Sequence, residues 1–319
     1  MKYRRLGNSG LQVSLAGLGT NNFGMRLDYE GSKTVVDAAL DAGINFFDTA
    51  DIYGGGLSEE FLGKALGSRR EDVLVATKFA MPVGEGPFTR GGSRHYIEKA
   101  VERSLKRLGT DYIDVYQMHQ PDLETPIEET LEALSDLVHR GVVRYIGHSN
   151  FTGWQIADAD WTSRSKGYAR FVSAQNEWSL LERKIEPEIM PACREFGLGQ
   201  LPFFPLASGF LTGKYTRGAD LPEGTRLAAW SKAMPARIGA LTSDQNWDKL
   251  DALTRYAEDH GHTILDLALS WLASDGAVSS VIAGATKPEQ IEANVAATLS
   301  WELSAEDFAA VDEILSQGR

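Results

Sequence analysis

At 319 residues the chain is long enough for two average domains or one large barrel, and its 43% hydrophobic and 24% charged residues describe an ordinary globular core, not a disordered chain. A formal charge of −12 opposes attraction to nucleic acid or an anionic membrane, so neither is expected as a partner, although a local basic patch still suits one phosphate. The single cysteine, Cys193, excludes an internal disulfide and a thiolate metal cluster within one chain, and no metal is expected.

Taken in order, the chain opens with Met1 to Gly7 followed by glycines and polar residues, which lacks the apolar core of a secretory signal. No stretch is apolar enough to span a bilayer, so a cytoplasmic location is expected. Tyr3 to Leu6 and Leu11 to Ser14 predict an N-terminal hairpin. Short apolar or β-branched runs then predict strands at Ala16 to Leu18, Asn45 to Asp48, Val73 to Thr77, Ile113 to Met118, Val143 to Gly147, Val172 to Gln175, Gln200 to Phe204 and Ser280 to Ile282. Amphipathic stretches lie between them, among them Ser32 to Ala42, Ser93 to Leu108 with Ser93 as N-cap, Ile127 to Arg140 and Ile185 to Phe196. Tyr215 to Gln245 lacks strong periodicity and reads as a long loop after the seventh strand. Further helices are expected at Asn246 to His260 and Ala305 to Leu315.

Regular alternation of strand and helix predicts an α/β protein, and eight such units in one chain favour a closed (β/α)8 barrel with an N-terminal hairpin and extra helices, as one domain over residues 1–319. A dinucleotide fold of the open, doubly wound type fits worse. Its glycine fingerprint needs a third Gly where Gly17-Leu18-Gly19-Thr20-Asn21-Asn22 has Asn.

In such a barrel the reactive groups stand just after the strands. The second strand ends in Asp48 and is followed by Tyr53, the third in Thr77-Lys78, the fourth in Met118-His119, the fifth is followed by Ser149-Asn150 and the sixth by Asn176 after Gln175. Singly, Asp48 reads as a turn residue, Lys78 as a strand-end charge and His119 as a core histidine. Packing gives no reason for acid, phenol, amine and imidazole at consecutive strand ends, and a catalytic cluster does. A tyrosine has a pKa near 10, which a nearby ammonium is expected to lower. Lys78 fits that part for Tyr53, Asp48 is placed to hold Lys78, and His119 to orient a substrate oxygen.

Phe47-Asp48-Thr49-Ala50-Asp51-Ile52-Tyr53-Gly54 with Ser58-Glu59, and Leu108-Gly109-Thr110-Asp111-Tyr112-Ile113-Asp114-Val115-Tyr116-Gln117-Met118-His119, resemble signatures of the aldo-keto reductase superfamily. Gly147 to Phe151, Gln175 to Leu181 and Pro205 to Lys214 continue the resemblance, which runs from Lys2 to about Asn294 and is nearest the channel β-subunit-like bacterial branch. It implies a catalytic tetrad of Asp48, Tyr53, Lys78 and His119. It also implies a barrel that binds a nicotinamide cofactor and moves hydride between it and a carbonyl or alcohol, with Tyr53 exchanging the proton.

By the same resemblance Ser149, Asn150 and Gln175 hold the carboxamide and Phe203 stacks on the ring. Pro205, Leu206, Ala207, Gly209 and Lys214 lie near the pyrophosphate, Gly19, Thr20 and Asn21 border the cofactor, and Gly284, Thr286, Lys287, Gln290 and Asn294 surround the adenosine. Lys287 as the nearest cation favours NADPH, with NADH the alternative. The chain departs from many relatives in three places: Phe203-Phe204-Pro205 replaces Tyr-Ser-Pro, Trp178 stands for a tyrosine and Thr286 for an arginine. Phe23, Met81, Phe88, Trp178 and Trp230 are expected to wall the substrate pocket beside Tyr53 and His119. Two other readings stay open: a cofactor-sensing regulatory subunit with slow turnover, and a Schiff-base lyase using Lys78. The partner is a small carbonyl or alcohol, and monomer and homo-oligomer are both compatible with the sequence.

Overall fold

A computed structural model describes residues 1–316, so the last three positions of the domain expected over 1–319 lie outside the described residues. Two strands, β1 (Tyr3–Arg5) and β2 (Gln12–Ser14), form an antiparallel hairpin. Eight parallel strands follow: β3 (Ala16–Gly19), β4 (Phe46–Asp48), β5 (Leu74–Phe79), β6 (Ile113–Met118), β7 (Val143–Ser149), β8 (Phe171–Gln175), β9 (Gly199–Gln200) and β10 (Val281–Gly284). Their order is sequential, with β10 beside β3. The last seam, between β9 and β10, is closed by backbone bonds from Gln200 N to Ala277 O (2.8 Å), Ser279 N to Gln200 O (2.9 Å) and Ile282 N to Pro202 O (2.9 Å). The sheet thus leaves no free edge, as in a (β/α)8 barrel.

Helices cover the outside: α1 (Tyr29–Asp41), α2 (Leu57–Leu66), α3 (Arg94–Leu108), α4 (Ile127–His139), α5 (Gly153–Lys166), α6 (Ile189–Phe196), α7 (Arg226–Ala233), α8 (Pro235–Leu241), α9 (Asp244–Asp259), α10 (Ile264–Ser274), α11 (Pro288–Ser300) and α12 (Ala305–Ser316). Several of their starts are chemically marked. Ser93, Thr225 and Ser243 accept a bond from the backbone N–H three residues on, and Thr263 forms a capping box with Asp266. Among the described residues no helix is long and apolar enough to cross a membrane.

The segment expected as a loop over Tyr215 to Gln245 contains α7 and α8. Each has only one buried residue, Leu227 and Ile238, so neither leaves the apolar stripe by which a helix is read. The seventh strand is shorter than expected: after Gln200 the regular ladder stops at Pro202, which has no N–H to give it, and the segment stays beside the sheet through isolated bridges from Phe203 to Glu177 and Ile282.

Inside the barrel, alternation along the strands makes two layers. Phe46, Ala76, Val115 and Ile282 pack with Leu6, Val13 and Leu201 beneath the hairpin, an apolar floor. Two residues further along their strands come Asp48, Lys78 and Gln117. The floor is apolar and the rim is ionic.

Candidate active site

Tyr53 reaches the rim because the chain after β4 turns sharply. Its amide donates to Ala50 O, and Gly54, Gly55 and Gly56 have φ of 58°, 67° and 100°. A side chain at Gly54 would put its Cβ 2.8 Å from Phe23 O, so both the conformation and the space call for glycine there.

Three of the four expected catalytic residues are directly linked. Lys78 Nζ donates to Asp48 Oδ2 at 2.7 Å, to Thr49 O at 2.8 Å and to Tyr53 OH at 3.4 Å. His119 faces Tyr53 edge-on, with ring centroids 5.8 Å apart. Asp48 Oδ1 accepts from the amide nitrogens of Gln175 (2.9 Å) and Gln117 (3.2 Å). Lys78 and Asp48 are 0% and 3% exposed, so this ion pair stands in a medium where unmatched charge is costly.

Titration behaviour follows. Burial opposes the Lys78 ammonium, but Asp48 and then Tyr53 outweigh it, and its pKa is raised. Burial pushes the Tyr53 phenol above its ordinary value, and the Lys78 ammonium only partly offsets this. The lowering expected from Lys78 alone is thus reversed, because desolvation exceeds it. Burial, with help from Lys78, drives His119 down to about 3, so its imidazole is neutral, and its Nδ1 is buried without a hydrogen-bond partner among the described residues.

Asp48, Tyr53 and His119 line a cleft of about 670 Å³ over the C-terminal ends of the strands, with Lys78 buried outside the lining and bonded to Asp48. Of the expected cofactor residues, Gly19, Thr20, Asn21, Asp48, Ser149, Gln175, Phe203, Pro205, Leu206, Gly209, Lys214, Gly284, Thr286, Lys287, Gln290 and Asn294 line it. Asn150 and Ala207 do not: the Asn150 amide turns to His119 O and Ser149 Oγ, each at 3.0 Å, and Ala207 is buried. Asn150, Phe204, Ala207 and Ser208 have φ between 45° and 62°, so non-glycine backbone strain gathers beside this cleft.

Most of the expected substrate walls lie elsewhere. Phe23 is core, and Trp178 is buried against Trp271 with its indole N–H on Glu186. Phe88 is 56% exposed against His95, and neither it nor Met81 lines the cleft. Trp230 backs Phe204, which does line it, at 5.5 Å between centroids. Apolar character alone does not separate a wall from packing.

Sequence reasoning missed the cations across from β10. Arg26 and Arg226 line the cleft with Lys214. Arg226 donates to Asn22 Oδ1 (3.1 Å) and Asn21 Oδ1 (3.3 Å) and lies over the Phe204 and Trp230 rings. Burial and then Arg26 push its pKa down to about 10, and burial, Arg26 and Arg226 lower that of Lys214. Glu223 is the carboxylate that shares this part of the lining. Thr225, a capping residue directly before Arg226, was the available signal for a helix that carries a cation inward.

A model of the aldo/keto reductase family matches residues 16–316. A probable voltage-gated potassium channel subunit beta of Oryza sativa subsp. japonica is 40% identical, covering 93% of this chain and 91% of that one. An uncharacterized oxidoreductase of Bacillus subtilis is 38% identical with the same coverage. An L-glyceraldehyde 3-phosphate reductase of Escherichia coli (strain K12) is 32% identical, covering 100% of this chain and 93% of the relative.

Proposed function

The chain belongs to the aldo/keto reductase family, and from that premise we propose that it is an NADPH-dependent carbonyl reductase in which Tyr53 is the proton donor. Reduction of aldehydes or ketones with a nicotinamide cofactor, or the reverse, is the activity of its class. The observation that carries the finer reading is the Lys78 ammonium, bonded at once to Asp48 and Tyr53 in a dry rim that opens into a cleft of cofactor size.

The residues present suit the cofactor. Lys214, Arg26 and Arg226 concentrate positive charge with depressed pKa values on Lys214 and Arg226, an arrangement that a bound pyrophosphate would relieve. Exposed Lys287 leads α11 with no capping bond from its side chain, and is the candidate for a 2′-phosphate. Ser149 and Gln175 are the proposed contacts of a carboxamide and Phe203 the proposed aromatic face, a reading supported by their shared position in the cleft lining.

Bound nicotinamide would supply the hydride. Tyr53 delivers the proton to the carbonyl oxygen as negative charge grows there, and Lys78 stabilises the phenolate that remains. Asp48 keeps Lys78 charged and aimed. His119, neutral at every physiological pH, serves as an uncharged hydrogen-bonding group for the same oxygen. The raised Lys78 pKa disfavours the free amine that a Schiff-base lyase needs. Burial pushes the Cys193 thiol up to about 12, so it is protonated in a neutral cytoplasm.

The relatives named as channel subunits motivate a second reading, a cofactor-sensing subunit with slow turnover. One experiment separates the two: fluorescence titration with NADPH and NADH, then turnover on a panel of aldehydes, ketones and alcohols. Carbonyl reduction with a preference for NADPH supports the enzyme. Tight NADPH retention with negligible turnover across the panel favours the sensor.

A further inference from the structure

We propose that Gln117 is a positioning residue for proton transfer: it anchors the Asp48 carboxylate and so fixes the Lys78 ammonium against Tyr53. The inference rests on the catalytic reading above.

Asp48 is 3% exposed, so its carboxylate depends mainly on protein groups to fill its acceptor sites. Oδ2 is occupied by Lys78, and Oδ1 by two side-chain amides, Gln175 at 2.9 Å and Gln117 at 3.2 Å. The two amides differ in setting. Gln175 lines the cleft and is the one proposed to meet the cofactor. Gln117 does not line the cleft, is 0% exposed, and stands on β6 directly beside Lys78 in the parallel register of β5 and β6. A donor shared with an incoming ligand has competing demands, whereas Gln117, outside the lining, meets no such demand.

Its surroundings are shaped to seat it. Gly147 of β7 is its register neighbour, and a Cβ there would come within 3.2 Å of Gln117 Cγ and 2.2 Å of Ser173 Oγ. Seating the amide has a cost, because Gln117 Oε1 is buried with no hydrogen-bond partner among the described residues. A leucine would occupy similar volume without stranding an acceptor. What the amide adds is its N–H toward Asp48.

The test is Gln117→Leu and Gln117→Glu, each followed by kcat for NADPH-dependent reduction of 4-nitrobenzaldehyde across pH, by NADPH affinity, and by thermal melts. Loss of one hydrogen bond to a charged group predicts a kcat for Gln117→Leu about 10- to 100-fold lower, at unchanged NADPH affinity. In Gln117→Glu the introduced carboxyl donates to Asp48 while protonated, so kcat is rescued at low pH. It declines as that carboxyl ionises beside a second carboxylate, a limb absent from the wild-type protein. Melts read the same contact without activity: the unfolding midpoint of Gln117→Glu falls with rising pH, and Asp48→Asn in that background removes the fall.

A uniform loss in both variants with no new limb, or kcat equal to wild type in both, overturns the positioning role. A pH-independent midpoint in Gln117→Glu overturns the contact itself. If wild-type protein reduces no carbonyl while the melts behave as stated, the catalytic reading fails and the Gln117–Asp48 link stands.

Discussion

Two aspartates three residues apart, Asp48 and Asp51, are buried to nearly the same depth, 3% and 4% exposed, and have opposite company. Asp48 meets an ammonium and two amides. Asp51 meets the Tyr96 hydroxyl at 3.3 Å, keeps Oδ1 without a partner among the described residues, and feels the buried Glu59 carboxylate. Burial first and Glu59 second raise its pKa to about 7, with Arg107 and Arg103 partly opposing. Partners, not depth, decide whether a buried acid is an asset to the chemistry. The acid that shares an ammonium with Tyr53 sits in the site, and the one three residues later sits behind it among α2, α3 and β6.

Lys78→Met breaks the comparison most severely, because it takes from Asp48 the cation that Asp51 does not have, leaving only the two amides on its carboxylate. Removing a preorganised charge of this kind lowers kcat by about 10²- to 10³-fold, measured by steady-state reduction of an aldehyde. Arg226→Ala sharpens it from the other side by deleting a half-buried cation whose side-chain hydrogen bonds, among the described residues, go to the Asn21 and Asn22 amides and not to a carboxylate. NADPH binding, followed by fluorescence titration, weakens by about 10- to 100-fold, and the remaining affinity responds less to salt.

Asp51→Asn acts on stability. Folded Asp51 holds its proton more tightly than the unfolded chain does, so its contribution is present below 3.8 and is lost as pH rises toward about 7. The asparagine removes that loss. Its unfolding midpoint relative to wild type is therefore higher at pH 8 than at pH 5. The smallest effect is an absence: with His119 depressed to about 3, the kcat/KM profile between pH 5 and 8 has no limb from its imidazole.

Much of this was legible in the sequence. The β4 and β6 ends carried Asp48, Tyr53 and His119 in recognisable segments, and strand-helix alternation led to the barrel. Three things were not legible. Arg226 lies in a short helix whose burial pattern is too thin to show periodicity. Trp178 and Phe23 looked like pocket walls because composition does not tell an inner face from a core contact. The direction of the Tyr53 shift depends on how desolvation compares with one ammonium, and that balance exists only in three dimensions.

The most direct measurement is Tyr53→Phe, with NADPH affinity and turnover determined on the same preparation. Removal of the proton donor predicts turnover lower by about 10²- to 10⁴-fold with cofactor affinity nearly unchanged. Turnover close to wild type would contradict the assignment of Tyr53, and with it the role given to Lys78 and Asp48.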